Sequence, residues 1–276
     1  MSKKLRIGHS PDPDDAFMFY GFASGAVKIQ GFEIEHLLED IQSLNKRALQ
    51  GELDVTAISA HAYPYLASRY WILSCGASMG MGYGPLLISK DDLKPEDLAG
   101  KRVAIPGKMT TAYLLSRIYL KDYEPVEMRF DQILRAIQEE KVDAGLIIHE
   151  GQITYKSLKL KKMMDFGERW QADSDLPLPL GLDIVRSSLG ESLAKEISEG
   201  LRKSIQYAFA HEEEALTYAL QFGRGIEMNQ ARTFVRMYVN EYTLDMGDEG
   251  RRGLSELFQR AYERELIPLI PDLKII

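Results

Sequence analysis

The chain has 276 residues, of which 45% are hydrophobic and 27% charged. That composition excludes a disordered chain and leaves core enough for two ordinary domains or one large one. A formal net charge of −7 argues against a nucleic-acid or anionic-membrane binder, for which a basic face is expected. An anionic ligand would therefore have to be held by local donors, against the overall field. Cys75 is the single cysteine, so an intrachain disulfide and a thiolate metal cluster are both excluded.

The start, "MSKKLRIGHSPDPDD", is basic but lacks the apolar run of a secretory signal. No stretch approaches the ~18 apolar residues of a membrane span. A cytoplasmic protein is the expectation.

In chain order, "KLRIGH" reads as a strand and "DDAFMFYGFAS" as a helix that stops near Gly25. "KIQGFEIEHLL" is extended. "DIQSLNKRALQG" is helical, with Asp40 as N-cap and Gly51 as the stop. "DVTAIS" is a strand, and "AHAYPYLAS" a helix with Pro64 confined to its early turns. This βαβαβ rhythm predicts a mostly parallel, doubly wound sheet.

After "YWILSC" and the glycine-rich "GASMGMGYG", the rhythm restarts. "RVAIP", "VEMRF" and "DAGLII" read as strands, and "TTAYLLSRIYL" and "DQILRAIQEE" as helices. From residue 190 the chain is helical, in four segments near 190–210, 212–222, 228–240 and 248–264. Their apolar stripes must be buried, and packing the tail back on the first unit is the economical solution. The expected organisation is a larger discontinuous lobe, residues 1–87 plus 185–276, with a smaller lobe, 88–184, inserted in it. Crossings near "GPLLIS" and "LPLGLDIV" would enclose a cleft able to close on a small ligand.

Ligands of α/β sheets bind beyond the carboxyl ends of the strands. "AISAHAY" puts Ala57, Ile58 and Ser59 at such an end, and "AIPGKMTTAY" puts Thr110 and Thr111 at another. Helix N-termini offer unpaired N–H groups to a carboxylate or phosphate. A hydroxyl there either caps the helix or donates to the ligand. Two such starts on opposite lobes favour an anion clasp. His149 in "AGLIIHEG" ends the last strand of the second unit, as a polar strand cap or as a base in the cleft. Imidazole is the side chain suited to accepting a proton near neutral pH. His9 and His61 are secondary candidates.

Three other motifs fail. "GASMG" fits a nucleophile elbow but leads into more glycines and a strand, where a helix is required. "PGKMT" has Arg102 where a phosphate loop needs glycine. "DPDD" lacks the glycine and distal glutamate of a calcium loop, and Asp14 and Asp15 suit a helix's first turn. No metal or nucleotide signature is left, and no cofactor is expected.

The segments "SPDPDDAFMFYG", "EDIQSLNKRALQG", "PGKMTTAYLL", "AGLIIHEG" and "LPLPLG", in that order, resemble the 1,4-dihydroxy-6-naphthoate synthase family of the futalosine route to menaquinone. The resemblance covers nearly the whole chain, least so the last helices. It implies a two-lobed fold similar to periplasmic binding proteins of the second class. It implies a carbon–carbon lyase that splits cyclic dehypoxanthinyl futalosine into dihydroxynaphthoate and dihydroxyacetone. His149 matches the proton acceptor of that family. Ala57, Ile58, Ser59, Thr110 and Thr111 match substrate-binding segments, and Asn45 lies in a matching ligand-facing helix. Members typically read Ser-Pro-Cys-Pro-Asn-Asp-Thr-Phe at the first loop. Here Asp12, Asp14 and Ala16 stand for Cys, Asn and Thr, which brings up to two more negative charges near a carboxylate-binding cleft. The competing expectation is a non-catalytic solute-binding protein for a small carboxylate.

Overall fold

The computed structural model describes residues 3–276. The first five strands are β1 (Lys3–His9), β2 (Phe32–Leu38), β3 (Val55–Ser59), β4 (Tyr70–Ile72) and β5 (Ser78–Gly80). The next five are β6 (Leu86–Ser89), β7 (Arg102–Ile105), β8 (Glu124–Glu127), β9 (Ala144–Ile147) and β10 (Lys161–Asp165), and β11 (Leu178–Arg186) is the last. They form two sheets. The first runs β2-β1-β3-β11-β4 with β5 on β11, and the second runs β10-β6-β9-β7-β8.

The parallel rhythm read from the sequence holds within each unit: β1 pairs parallel with β2 and β3, and β7 with β8 and β9. The crossing segments enter antiparallel. β6 lies against β9 and β10, and β11 against β3, β4 and β5. A strand arriving from the other lobe has no crossover helix of its own, so it adds to a sheet in either direction.

Local chemistry explains most element boundaries. The helix Ile41–Gln50 starts where the Asp40 carboxylate accepts from the N–H groups of Gln42 and Ser43, and it stops at Gly51, whose φ of 72° is left-handed. The first helix is shorter than its apolar pattern predicts. It runs Pro13–Met18 and breaks at Phe19 before a single turn, Tyr20–Ala23. The expected helix after Ser59 is instead a 3₁₀ turn, Ala60–Tyr65, with Pro64 inside it. Proline has no N–H to continue an α ladder.

The tail helices Glu191–Ala210, Glu212–Leu220, Met228–Tyr238 and Gly247–Glu263 match the four segments read from the sequence, and a short turn, Glu241–Leu244, is added. Ile197, Leu201, Ile205, Leu216 and Val235 share one core with Leu5, Ile7, Phe17 and Phe22, so the tail covers the first sheet. Among the described residues no helix is long and apolar enough to cross a membrane.

Candidate active site

Between the two sheets lies a cleft of about 720 Å³. It takes residues from both units: Ser10, Asp14 and Asp15 after β1, Ala57 to Ser59 at the end of β3, Thr110 to Ala112, His149, and Leu180 to Leu182 of β11. Met18, Ile41, Ile148, Phe234 and Tyr238 add apolar walls. A mostly apolar cleft with polar groups at a few points suits a planar organic body with a charged substituent.

Ser59 is held from behind. Its N–H donates to Asn45 Oδ1 at 2.9 Å, and Asn45 Nδ2 donates to Ser59 Oγ at 3.1 Å. The Ser59 hydroxyl proton is thereby left free for the cleft. Asn45 is fully buried and is absent from the cleft lining, although it lies in the expected helix. Its amide also reaches Met109 O at 3.4 Å, so it bridges the two lobes behind the wall.

Thr110 and Thr111 line the cleft, but both hydroxyls have protein partners. Thr110 caps the helix Thr111–Tyr119, accepting from Tyr113 N at 3.3 Å and donating to Gly107 O at 2.7 Å. Thr111 Oγ1 donates to Leu180 O at 2.7 Å and accepts from His61 N at 3.3 Å. The Thr111 hydroxyl therefore joins the lobes. What this corner offers an anion is the backbone N–H groups of Thr111 and Ala112, which a helix's first turn leaves without intrahelical acceptors.

His149 sits two positions beyond β9, with a left-handed φ of 56°. Histidine tolerates that region better than most residues, yet it still costs on the order of 1 kcal/mol, so the surroundings must hold it there. They do so with a charged cluster. His149 Nδ1 lies 3.2 Å from Asp12 Oδ2, and its ring packs edge-on to Phe130 at 4.7 Å. Asp12 is fully buried. Its Oδ2 also accepts from the Ser10 hydroxyl, and its Oδ1 receives Arg224 Nη1 at 2.6 Å. Arg224 Nη1 further meets Glu150 Oε1 at 2.9 Å, and the guanidinium lies 4.6 Å from the Phe130 ring centroid. Glu150 is thereby a member of this cluster. On the opposite edge of the ring, His149 Nε2 is buried and has no hydrogen-bond partner among the described residues.

The other histidine candidates are not among the residues lining the cleft. His9 stacks on Phe19 and touches His36, and burial drives its pKa down to about 3. Burial lowers His61 to about 4. Buried carboxyls are pushed the other way, and Asp15 is one of them, raised first by burial and then by Asp183. Asp14, at the cleft wall, rises to about 8, first from burial and then from the neighbouring Asp15. Asp183 rises to about 8 through burial alone. It lies so close to Gly76 that a Cβ there would fall 2.1 Å from its Oδ2. With its pKa above 7, Asp14 is mainly the neutral acid at pH 7, which removes one of the two extra negative charges the first-loop sequence suggests. Among the described residues, no group of three or more His, Cys, Asp or Glu is placed to hold a metal ion.

Reasoning from sequence missed Arg224, Phe130, Gln152 and Tyr238. Tyr238 donates to Gln152 Oε1 at 2.6 Å across the cleft. Arg224 had one visible mark: it stands between two glycines, Gly223 and Gly225, in the break between two tail helices.

Two α/β lobes, crossing strands and a ligand-sized cleft define a protein with the periplasmic-binding-protein fold. The alkanesulfonate-binding protein from Xanthomonas axonopodis pv. citri superposes with a TM-score of 0.74 over 99% of this chain and 98% of its own, at 12% identity. A family model described as menaquinone biosynthesis matches residues 5–263. The chain is 41% identical to the 1,4-dihydroxy-6-naphthoate synthase of Thermus thermophilus, over 95% of each protein. It is 36% identical to that of Streptomyces coelicolor, over 97% of this chain and 96% of the relative. A crystal structure of an Archaeoglobus fulgidus protein matches with a TM-score of 0.92 and 46% identity, covering 96% of this chain and 98% of its own. The chain belongs to the 1,4-dihydroxy-6-naphthoate synthase family, enzymes of menaquinone biosynthesis.

Proposed function

We propose that the cleft binds cyclic dehypoxanthinyl futalosine and fragments it to 1,4-dihydroxy-6-naphthoate and dihydroxyacetone, with His149 as general base. The observation that carries this reading is the His149 Nε2 atom, buried at the cleft without a partner. A buried polar atom left unsatisfied is costly, and a substrate proton is the partner it lacks. The ring's other edge faces a carboxylate, which stabilises the imidazolium formed when Nε2 takes that proton.

The remaining residues bind and orient. The Ser59 hydroxyl and the N–H groups at the start of the helix Thr111–Tyr119 receive substrate oxygens from opposite lobes, while Ala57, Ile58, Leu180, Leu182 and Phe234 supply apolar walls for the aromatic body. General-base assistance contributes roughly 10²–10⁴ in rate. Positioning and water exclusion between closed lobes supply the rest.

The test is direct. Purified protein incubated with cyclic dehypoxanthinyl futalosine is expected to release 1,4-dihydroxy-6-naphthoate, read by mass. Tight binding of that compound without conversion would return the protein to the solute-binding reading.

A further inference from the structure

The cluster behind His149 joins residues far apart in sequence and drawn from both lobes. Asp12 follows β1 of the first sheet, and His149 follows β9 of the second. Arg224 lies between two tail helices, Glu212–Leu220 and Met228–Tyr238, which pack over the first sheet. The two oxygens of Asp12 have different partners. Oδ1 meets Arg224 Nη1 at 2.6 Å, and Oδ2 lies 3.2 Å from His149 Nδ1.

We infer that Asp12 is the positioning residue for His149. Reaching from one lobe to the other behind the cleft wall, it accepts the Nδ1 proton of the imidazole and so keeps Nε2 unprotonated and aimed at the substrate. Which ring nitrogen carries the proton is set by the bond the other edge makes. Arg224 decides the orientation of Asp12, because a guanidinium only donates and so must face an acceptor. Since the two partners sit on different lobes, the base is complete only with the cleft closed. Glu150 ties the same closure down, by carrying Arg224 on the His149 side of the cleft. A bond that joins the lobes in this way couples lobe closure to the readiness of the base.

This assignment rests on His149 being the base, but its chemistry can be read without turnover. In Asp12→Asn, Arg224 claims the amide oxygen and leaves the amide NH₂ facing Nδ1. Nδ1 must then accept, the proton moves to Nε2, and the lone pair is lost from the cleft. The near-isosteric change is therefore more damaging than Asp12→Ala, which leaves the ring free to adopt either tautomer. In the double variant Asp12→Asn/Arg224→Gln the amide can turn its oxygen back to Nδ1–H, so part of the lost activity returns.

The experiment combines ¹⁵N NMR of histidine-labelled protein with steady-state kinetics. The NMR uses 1,4-dihydroxy-6-naphthoate as the bound probe, and the His149 signals are assigned by their loss in His149→Asn. The expected results are an Nδ1–H tautomer in the wild type and an Nε2–H tautomer in Asp12→Asn. Turnover by Asp12→Asn should fall roughly a hundredfold or more with little change in KM, and partial rescue should follow in the double variant. An Nε2–H tautomer in the wild type, or a tautomer unmoved in a folded Asp12→Asn, overturns the proposal. An unfolded Asp12→Asn leaves the wild-type tautomer to decide. If instead the tautomer behaves as described while His149→Asn turns over normally, the base assignment fails and the Asp12 contact stands.

Discussion

Asn45 and Ser59 are joined twice: the asparagine amide accepts from the serine N–H at 2.9 Å and donates to its hydroxyl oxygen at 3.1 Å. A helix of the first unit thus sets the direction of the one Ser59 proton that is free for a ligand. Asn45→Ala would leave two buried groups of Ser59 unsatisfied, at a cost of about 1–3 kcal/mol. Denaturant unfolding should show that loss, and KM should rise several-fold because the hydroxyl is no longer aimed. A stability loss with KM unchanged would make the pair structural only.

The two neighbouring threonines are expected to behave differently. Thr110→Ala removes a helix cap worth about 0.5–2 kcal/mol, so melting temperature should fall while KM stays close to wild type. Thr111→Ala breaks a bond to Leu180 O that spans the crossing strand, and its main effect should be a KM raised several-fold as closure weakens. Steady-state kinetics beside thermal melts separates the two. Identical profiles for both variants would contradict the assignment of caps and latches.

The carboxyl of Asp14 gives the cleft a pH limit. Burial and Asp15 raise its pKa to about 8, so it is neutral below that value and becomes an anion above it. A charge appearing beside an anionic substrate repels it, and kcat/KM should therefore fall as pH rises through about 8. Asp14→Asn, neutral throughout, should keep its activity at pH 7 and lose this alkaline decline. An unchanged alkaline limb in the variant would place the titration elsewhere.

Much of this arrangement is legible in the sequence where it is local. Asp40 and Gly51 mark their helix because caps act over a few residues, and the strand-end rule leads to Ser59, Thr110 and His149 without coordinates. The failures are non-local. Glu150 and Arg224 are separated by 74 positions and Asp12 and Arg224 by 212, and no periodicity reports such a pairing. Asp12 was visible as a departure in the first loop, but its extra charge could only be read as a liability until Arg224 was placed beside it. The threonine hydroxyls pointed correctly to a helix start at the cleft, yet a side chain's partners depend on what the opposite lobe presents. Pro64 did carry a local warning against a regular α-helix, and the 3₁₀ turn follows from it.

The central claim is that the unpartnered Nε2 of His149 takes a proton from the substrate. It is tested most directly by measuring kcat and KM of His149→Asn on cyclic dehypoxanthinyl futalosine, with release of 1,4-dihydroxy-6-naphthoate followed by mass. Asparagine keeps part of the shape and some hydrogen bonding but has no basic nitrogen. The account predicts a kcat lower by two orders of magnitude or more, roughly the scale of a lost general base, with KM nearly unchanged. Normal turnover would contradict it, and so would a loss confined to KM, which would make His149 a binding contact.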